Sequence, residues 1–196
     1  MAESQIDIHP TTYVHPGAIL EGTITIGKYC RIGAGTIIDG TVTIGDYTTI
    51  FLNNAIRGWG IKIGSYVNIF DNANIESGRN GEEAAVIGDY CWINHGCVMH
   101  GSKVGHTAVI GMNAALNYGC KIGNGAIVME GTACPVNFVL PDNAVAQGVP
   151  AKIIRENIED KDRDELCGLV PKEWVVRHAE GNVRMAKELG IAAEME

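Results

Sequence analysis

The stretch "IGKYCRIGAGTIIDGTVTIGDYTTI", residues 26–50, repeats its pattern every six residues. Ile26, Ile32, Ile38, Ile44 and Ile50 each lead a block, and glycine or aspartate follows the first four. The same phase runs back through Leu20, Val14 and Ile8 and forward to Ile56. It resumes at Ile63, Ile69 and Ile75, then at Ile87, Ile93 and Met99, and finally runs from Val104 to Leu140. A helix would repeat about every 3.6 residues and a half-buried strand every two, so neither explains a period of six. Short strands joined by regular corners do: the leading aliphatic points inward, a small residue takes the corner, and another small residue sits at the fifth position. The expected fold class is an all-β solenoid, with coils stabilised by their neighbours and caps at the ends.

Composition agrees with such an interior. Hydrophobic residues make up 46% but aromatics only 6%, with 25 glycines and 6 prolines, so the core must be built from small aliphatics between many turns. A formal charge of −8 leaves no basic stripe for phosphate neutralisation, so no nucleic-acid partner is expected. No apolar run approaches the ~20 residues that span a bilayer, so no membrane partner is expected either. The opening "MAESQIDIHP" has no basic segment before an apolar one, so no signal peptide is expected and the chain is placed in the cytoplasm. Cys30, Cys91, Cys97, Cys120, Cys134 and Cys167 form no CxxC pair and are expected to be small buried thiols.

Breaks in the rhythm mark where sites can be built, because an insertion in a solenoid must loop outward. Ile56 to Ile63 is seven residues, around "RGWGIK", and the polar "ESGRNGEEAAV" separates Ile75 from Ile87. Met99 to Val104 is only five. After "QGVPAKIIREN" the rhythm ends, giving a β-solenoid over 1–155 and a helical cap and subunit contact over 156–196. Within the latter, Pro171 suits a first helical turn and Gly190 a C-cap, with Trp174, Val175, His178, Val183 and Ala186 roughly on one face.

Of six histidines, His9, His15 and His106 fit corner positions and His178 lies on the terminal helix. His95 and His100, in "INHGCVMHGS", flank the five-residue step and can project outward from nearby corners. Imidazole is a common metal ligand, but a zinc site needs at least a third protein ligand.

The segments "AIRGWGIKIGSYVNIFDNANIES", "VIGDYCWINHGCVMHGSKVGHTAVIGMNAAL" and "GVPAKIIR" resemble the γ-class carbonic anhydrase group of hexapeptide-repeat proteins, which includes transferase-like proteins found beside carnitine and phenylacetate pathways. The resemblance covers most of residues 8–155. It implies a left-handed parallel β-helix, where crossover rules alone would give a right-handed one. It also implies a cytoplasmic homotrimer with one metal at each subunit interface, held by two histidines of one subunit and a third from its neighbour. His95 and His100 fall on two ligand positions that serve different interfaces, and Arg57 and Asp71 match supporting positions.

The chain departs from the group at three places. Trp59 replaces the aspartate of an Arg-Gly-Asp run, Phe70 replaces a glutamine, and Glu76 aligns with the first histidine ligand. Glu76, His95 and His100 still make a two-histidine, one-carboxylate set, which suits zinc or iron(II); alternatively Glu76 is a solvated corner residue. An anionic ligand lowers the charge of the centre, so poor CO₂ hydration is expected. Glu82 and Glu83 in the polar excursion could carry protons or simply face solvent. Three functions stay open: a metal-dependent lyase acting on a small molecule, a coenzyme A-dependent acyltransferase or thioesterase using His95 or His100 as base, and a non-catalytic scaffold.

Overall fold

The computed structural model describes residues 4–78, 83–167 and 171–191. The chain winds as a left-handed parallel β-helix of about eight turns. Almost every leading aliphatic of the six-residue rhythm is buried, with Ile32, Ile50, Ile69, Ile75 and Ile93 fully enclosed in one continuous core. Ile8, Val14 and Leu20, in the first coil, are only partly buried, because no earlier coil covers them.

Each coil has three faces. The first carries the short strands Tyr13–Val14, Arg31–Ile32, Thr49–Ile50, Asn68–Ile69, Trp92–Ile93, Val109–Ile110, Ile127–Val128 and Val145–Gln147, closed by the antiparallel Lys152–Arg155. The second carries Asn74–Glu76, Val98–His100, Ala115–Leu116 and Ala133–Cys134. The third carries Val86–Ile87, Lys103–Val104, Lys121–Ile122 and Val139–Leu140. In the early coils the second and third faces are not separated by a regular corner. Single strands Ile19–Ile26, Ile37–Ile44 and Ala55–Ile63 bend across both. They bend at Gly22, Gly40 and Gly58, whose φ of 106°, 107° and 131° place them in the region that favours glycine.

Corners use more than glycine. Tyr29, Tyr47, Tyr66 and Tyr90 all adopt positive φ at equivalent corners, and their rings stack at 5.5, 4.8 and 4.9 Å. The stacking offsets the strain of holding a bulky residue there. The small residue at the fifth position has a task beyond fitting. Thr12, Thr36 and Thr48 each donate their hydroxyl to a carbonyl of the next coil, at 2.6, 2.9 and 2.8 Å. Cys30, Cys91 and Cys97 do the same through their thiols, at 3.0, 3.0 and 3.1 Å. Burial pushes the Cys91 and Cys97 thiols up to about 12, which keeps them protonated as donors. Cys120 and Cys134 are buried free thiols as well, while Cys167 is half-buried.

Two helices, α1 (Asp160–Cys167) and α2 (Pro171–Glu188), follow the solenoid. Ile158, which precedes α1, and Val175 of α2 join Trp92, Val109, Ile127 and Val145 in a second cluster on the first face. The buried stripe of α2 is rotated from the one expected. Val175, Ala179, Asn182 and Ala186 face inward, whereas Trp174 is 38% exposed and Val183 only half-buried. The flat sheet admits small side chains, and Asn182 Nδ2 donates to Thr49 Oγ1 at 2.9 Å. Gly190 caps the helix with φ 73°. Among the described residues, no helix is long and apolar enough to cross a membrane.

His178 sits among Phe51, Phe70, Trp92 and Trp174, with Nδ1 2.5 Å from Asn68 Nδ2. Burial, and secondarily the Arg31 charge, lowers its pKa. The unfolded imidazole takes its proton near pH 6.5. The contribution of His178 is therefore complete above about pH 6.5 and falls as pH drops toward the lowered folded value. Tryptophan fluorescence from Trp92 and Trp174 should report α2 loosening as pH falls below about 6.5. His178→Gln should flatten that response, and an unchanged response would remove His178 as its cause.

Candidate metal centre

In-register pairing, with adjacent coils roughly 4.8 Å apart, creates the site. On the second face, residues at the end of each strand form an outward column: Glu21, Asp39, Arg57, Glu76 and His100 are aligned on successive coils. Arg57 Nη2 is hydrogen-bonded to Glu76 Oε1. The other carboxylate oxygen, Oε2, lies 4.0 Å from His100 Nε2. The His100 ring meets the edge of Tyr118 with centroids 5.1 Å apart. Glu76 is therefore no isolated corner residue, but a carboxylate shared between a guanidinium and an imidazole.

His95 stands at the opposite edge of the same face. It occupies the corner between Trp92–Ile93 and Val98–His100, directly over Asp71 of the preceding coil. Asp71 Oδ1 accepts the Leu52 backbone N–H at 2.8 Å, which fixes the carboxylate. Its Oδ2 lies 3.3 Å from His95 Nδ1. A proton held on Nδ1 by this contact leaves the Nε2 lone pair available, the usual way a carboxylate prepares a histidine to bind metal. Phe70 packs against His95 at 5.0 Å, stacks on Phe51 at 4.7 Å and reaches His178 at 6.1 Å. Where the resemblance has a glutamine, this chain thus has part of the aromatic seat for α2.

A corner at His95–Gly96 and the strand Val98–His100 separate the two histidines, so they stand at opposite edges of the face. Among the described residues of one chain, no three His, Cys, Asp or Glu side chains converge on one point. Even so, the donors suit a shared ion. Two ligands of one tetrahedral zinc are about 3.4 Å apart at ligand distances near 2.1 Å. The 4.0 Å between Glu76 Oε2 and His100 Nε2 needs only a small rotation to reach that. Those two supply one edge of a set, and His95 supplies a prepared imidazole on the other edge.

The sequence missed two partners, the Arg57–Glu76 ion pair and Tyr118. Both could have been found by counting coils, since Tyr118 follows His100 by 18 residues and Glu76 follows Arg57 by 19. Of the excursion's carboxylates, Glu82 lies outside the described residues. Glu83 forms no ion pair with His100 among the described residues; its backbone carbonyl accepts the Gly78 N–H. Trp59, 66% exposed, lies with Arg57 and Glu76 along an open depression of about 430 Å³.

Comparison with known proteins bears on the fold and the family. No family model matches the chain. It is 38% identical over 147 residues to a probable carbonic anhydrase of Methanocaldococcus jannaschii, covering 74% of this chain and 80% of that protein. It is 28% identical over 169 residues to the carnitine operon protein CaiE of Escherichia coli K12, covering 81% and 70%. Among solved structures, a putative acetyltransferase of Bacillus cereus matches with TM-score 0.67 and 23% identity over 90% of this chain and 92% of that one. A hexapeptide transferase family protein of Anaplasma phagocytophilum matches with TM-score 0.61 and 19% identity over 94% and 93%. These structural likenesses concern the β-helix itself. With the repeat, the solenoid and the 38% identity together, the chain belongs to the γ-carbonic anhydrase-like family of hexapeptide-repeat proteins.

Proposed function

We propose that the chain forms a homotrimer in which Glu76 and His100 of one copy and His95 of the next hold a divalent ion, zinc or iron(II). The observation that carries this reading is the split donor set: a carboxylate and an imidazole 4.0 Å apart on one edge of a face, and an Asp71-oriented imidazole on the other. Cyclic assembly of identical copies brings one edge of each face against the other edge of its neighbour. The face between the two edges favours such contact. Its outward column, Ile19, Ile37, Ala55, Asn74, Val98, Ala115 and Ala133, is nearly all apolar. Ile19, Ile37 and Val98 are 49%, 39% and 36% exposed in the single chain, and the buried Asn74 Oδ1 has no hydrogen-bond donor among the described residues.

When bound, the ion supplies Lewis acidity and lowers the pKa of a water for attack on a small electrophile such as CO₂. Arg57 holds Glu76 in place through Oε1 and leaves Oε2 toward His100. Asp71 keeps the proton on His95 Nδ1. Glu76 adds a negative charge where a neutral imidazole would serve hydration better, and Phe70 offers no amide to orient water. CO₂ hydration is therefore slow in this chain. Glu76→His should raise the hydration rate at neutral pH by on the order of tenfold, read by stopped-flow indicator assay.

Protein purified without chelators should contain about one equivalent of zinc or iron per subunit. Less than about a tenth of an equivalent after growth with either metal would overturn the assignment. Acyl-CoA turnover that survives chelation but is lost in His100→Ala would move the function to the transferase class.

A further inference from the structure

A cleft on the third face has a chemistry opposite to that of the chain as a whole. Lys62, Val86, Lys103, Lys121 and Val139 are aligned on successive coils, pointing outward from the same column. The cleft, about 560 Å³, is lined by all three of these lysines. Gly60, Gly101 and Gly119 line its other side with Glu83, Ala84 and Asn137, and Cys120 lies buried beneath. Glu83 is the single carboxylate among the described lining residues, against three lysines, in a chain of formal charge −8.

Among the described residues, none of the three ammonium groups takes part in an ion pair. By contrast, Lys28 lies beside Asp46 at 3.9 Å and Lys161 beside Glu159 at 3.0 Å. Like charges stacked in register repel and cost stability when nothing lies between them. A multivalent anion would relieve that repulsion. The column's spacing selects the anion: Lys103 and Lys121 are one coil apart, about 4.8 Å, and Lys62 lies two coils beyond, about 9.6 Å. A carboxylate can engage one such ammonium, whereas linked phosphates can engage successive rungs. The volume is that of a small-molecule site and excludes a nucleic-acid strand as the intended occupant.

We propose that this cleft binds a small molecule carrying two or more linked phosphate groups, held by Lys62, Lys103 and Lys121. The site is separate from the metal reading, because none of the lysines belongs to it. Isothermal titration of the full chain with tripolyphosphate and with ADP tests the proposal, with sulfate at matched ionic strength as reference. The expected result is saturable binding of one tripolyphosphate or ADP per subunit, weakening as NaCl rises. The triple variant Lys62→Gln, Lys103→Gln, Lys121→Gln should lose at least about tenfold in affinity with an unchanged metal content and a thermal midpoint that does not fall, since all three side chains are exposed and their mutual repulsion is removed. Tighter binding of ADP than of tripolyphosphate would extend the ligand to a nucleotide. Absence of saturable binding to both would overturn the proposal. So would equal binding of sulfate, or retained affinity in the triple variant, which would mean that phosphate acts elsewhere, for instance by chelating metal.

Discussion

His95→Ala chains and His100→Ala chains should each carry less than about a tenth of the wild-type metal, yet regain about a quarter when co-expressed in equal amounts. The quarter follows from how the donors are divided. An interface needs Glu76 and His100 from one copy and His95 from its neighbour. In a random mixture, half of the copies on each side carry the intact donors, so one interface in about four is complete. A site built within one chain would show no recovery at all, because each variant would lack a ligand everywhere. Metal analysis of the purified mixture, with sedimentation to verify that trimers form, separates the two outcomes. Metal retained by His95→Ala alone would reduce the site to Glu76 and His100. A Glu76→Gln variant adds a second reading of the same interface. It removes the charge from the ligand set and leaves Arg57 without its carboxylate partner, so metal should be lost by tenfold or more on the usual scale for an altered ligand shell.

The second large effect concerns the bend of the long strands. Gly40→Ala should destabilise the chain by roughly 3 kcal/mol or more, whereas Gly131→Ala should cost only about 1 kcal/mol. Both positions have positive φ, 107° and 64°. They differ in what a methyl group would meet. At Gly40 it would lie 2.0 Å from the Gly58 carbonyl oxygen, backbone that cannot move without parting two coils. At Gly131 nothing lies within 4 Å. Urea unfolding of the two variants measures the contrast directly. Equal losses would mean that backbone strain alone, and not coil contact, makes glycine necessary at the bend.

Some of this could be read before any coordinates. The isoleucines at 26, 32, 38, 44 and 50 fixed strand, corner and inward face together, because a period of six suits only this kind of coil. The insertion around "ESGRNGEEAAV" and the five-residue step after Met99 also marked the face that carries the candidate donors. Other features were not readable. That the corners at Gly22, Gly40 and Gly58 would be bends in continuous strands depends on three glycines stacking across coils, a contact between residues 18 apart. The stripe of α2 was misplaced by the same kind of cause. Side-chain size favours Trp174 and Val183, which lie on opposite sides of the helix, but the flat first face accepts the stripe of Val175, Ala179, Asn182 and Ala186, and Asn182 finds Thr49 there.

The sequence alone determined the solenoid, the family resemblance and the histidines worth following, since repetition and residue type are properties of the chain itself. Tertiary structure decided what those residues touch. Register on adjacent coils joined Arg57 to Glu76, brought Glu76 beside His100, and set Asp71 against His95. It also lined three lysines along one cleft. The physical reason is the winding: residues some 17 to 24 positions apart become neighbours about 4.8 Å apart, and insertions alter which ones meet.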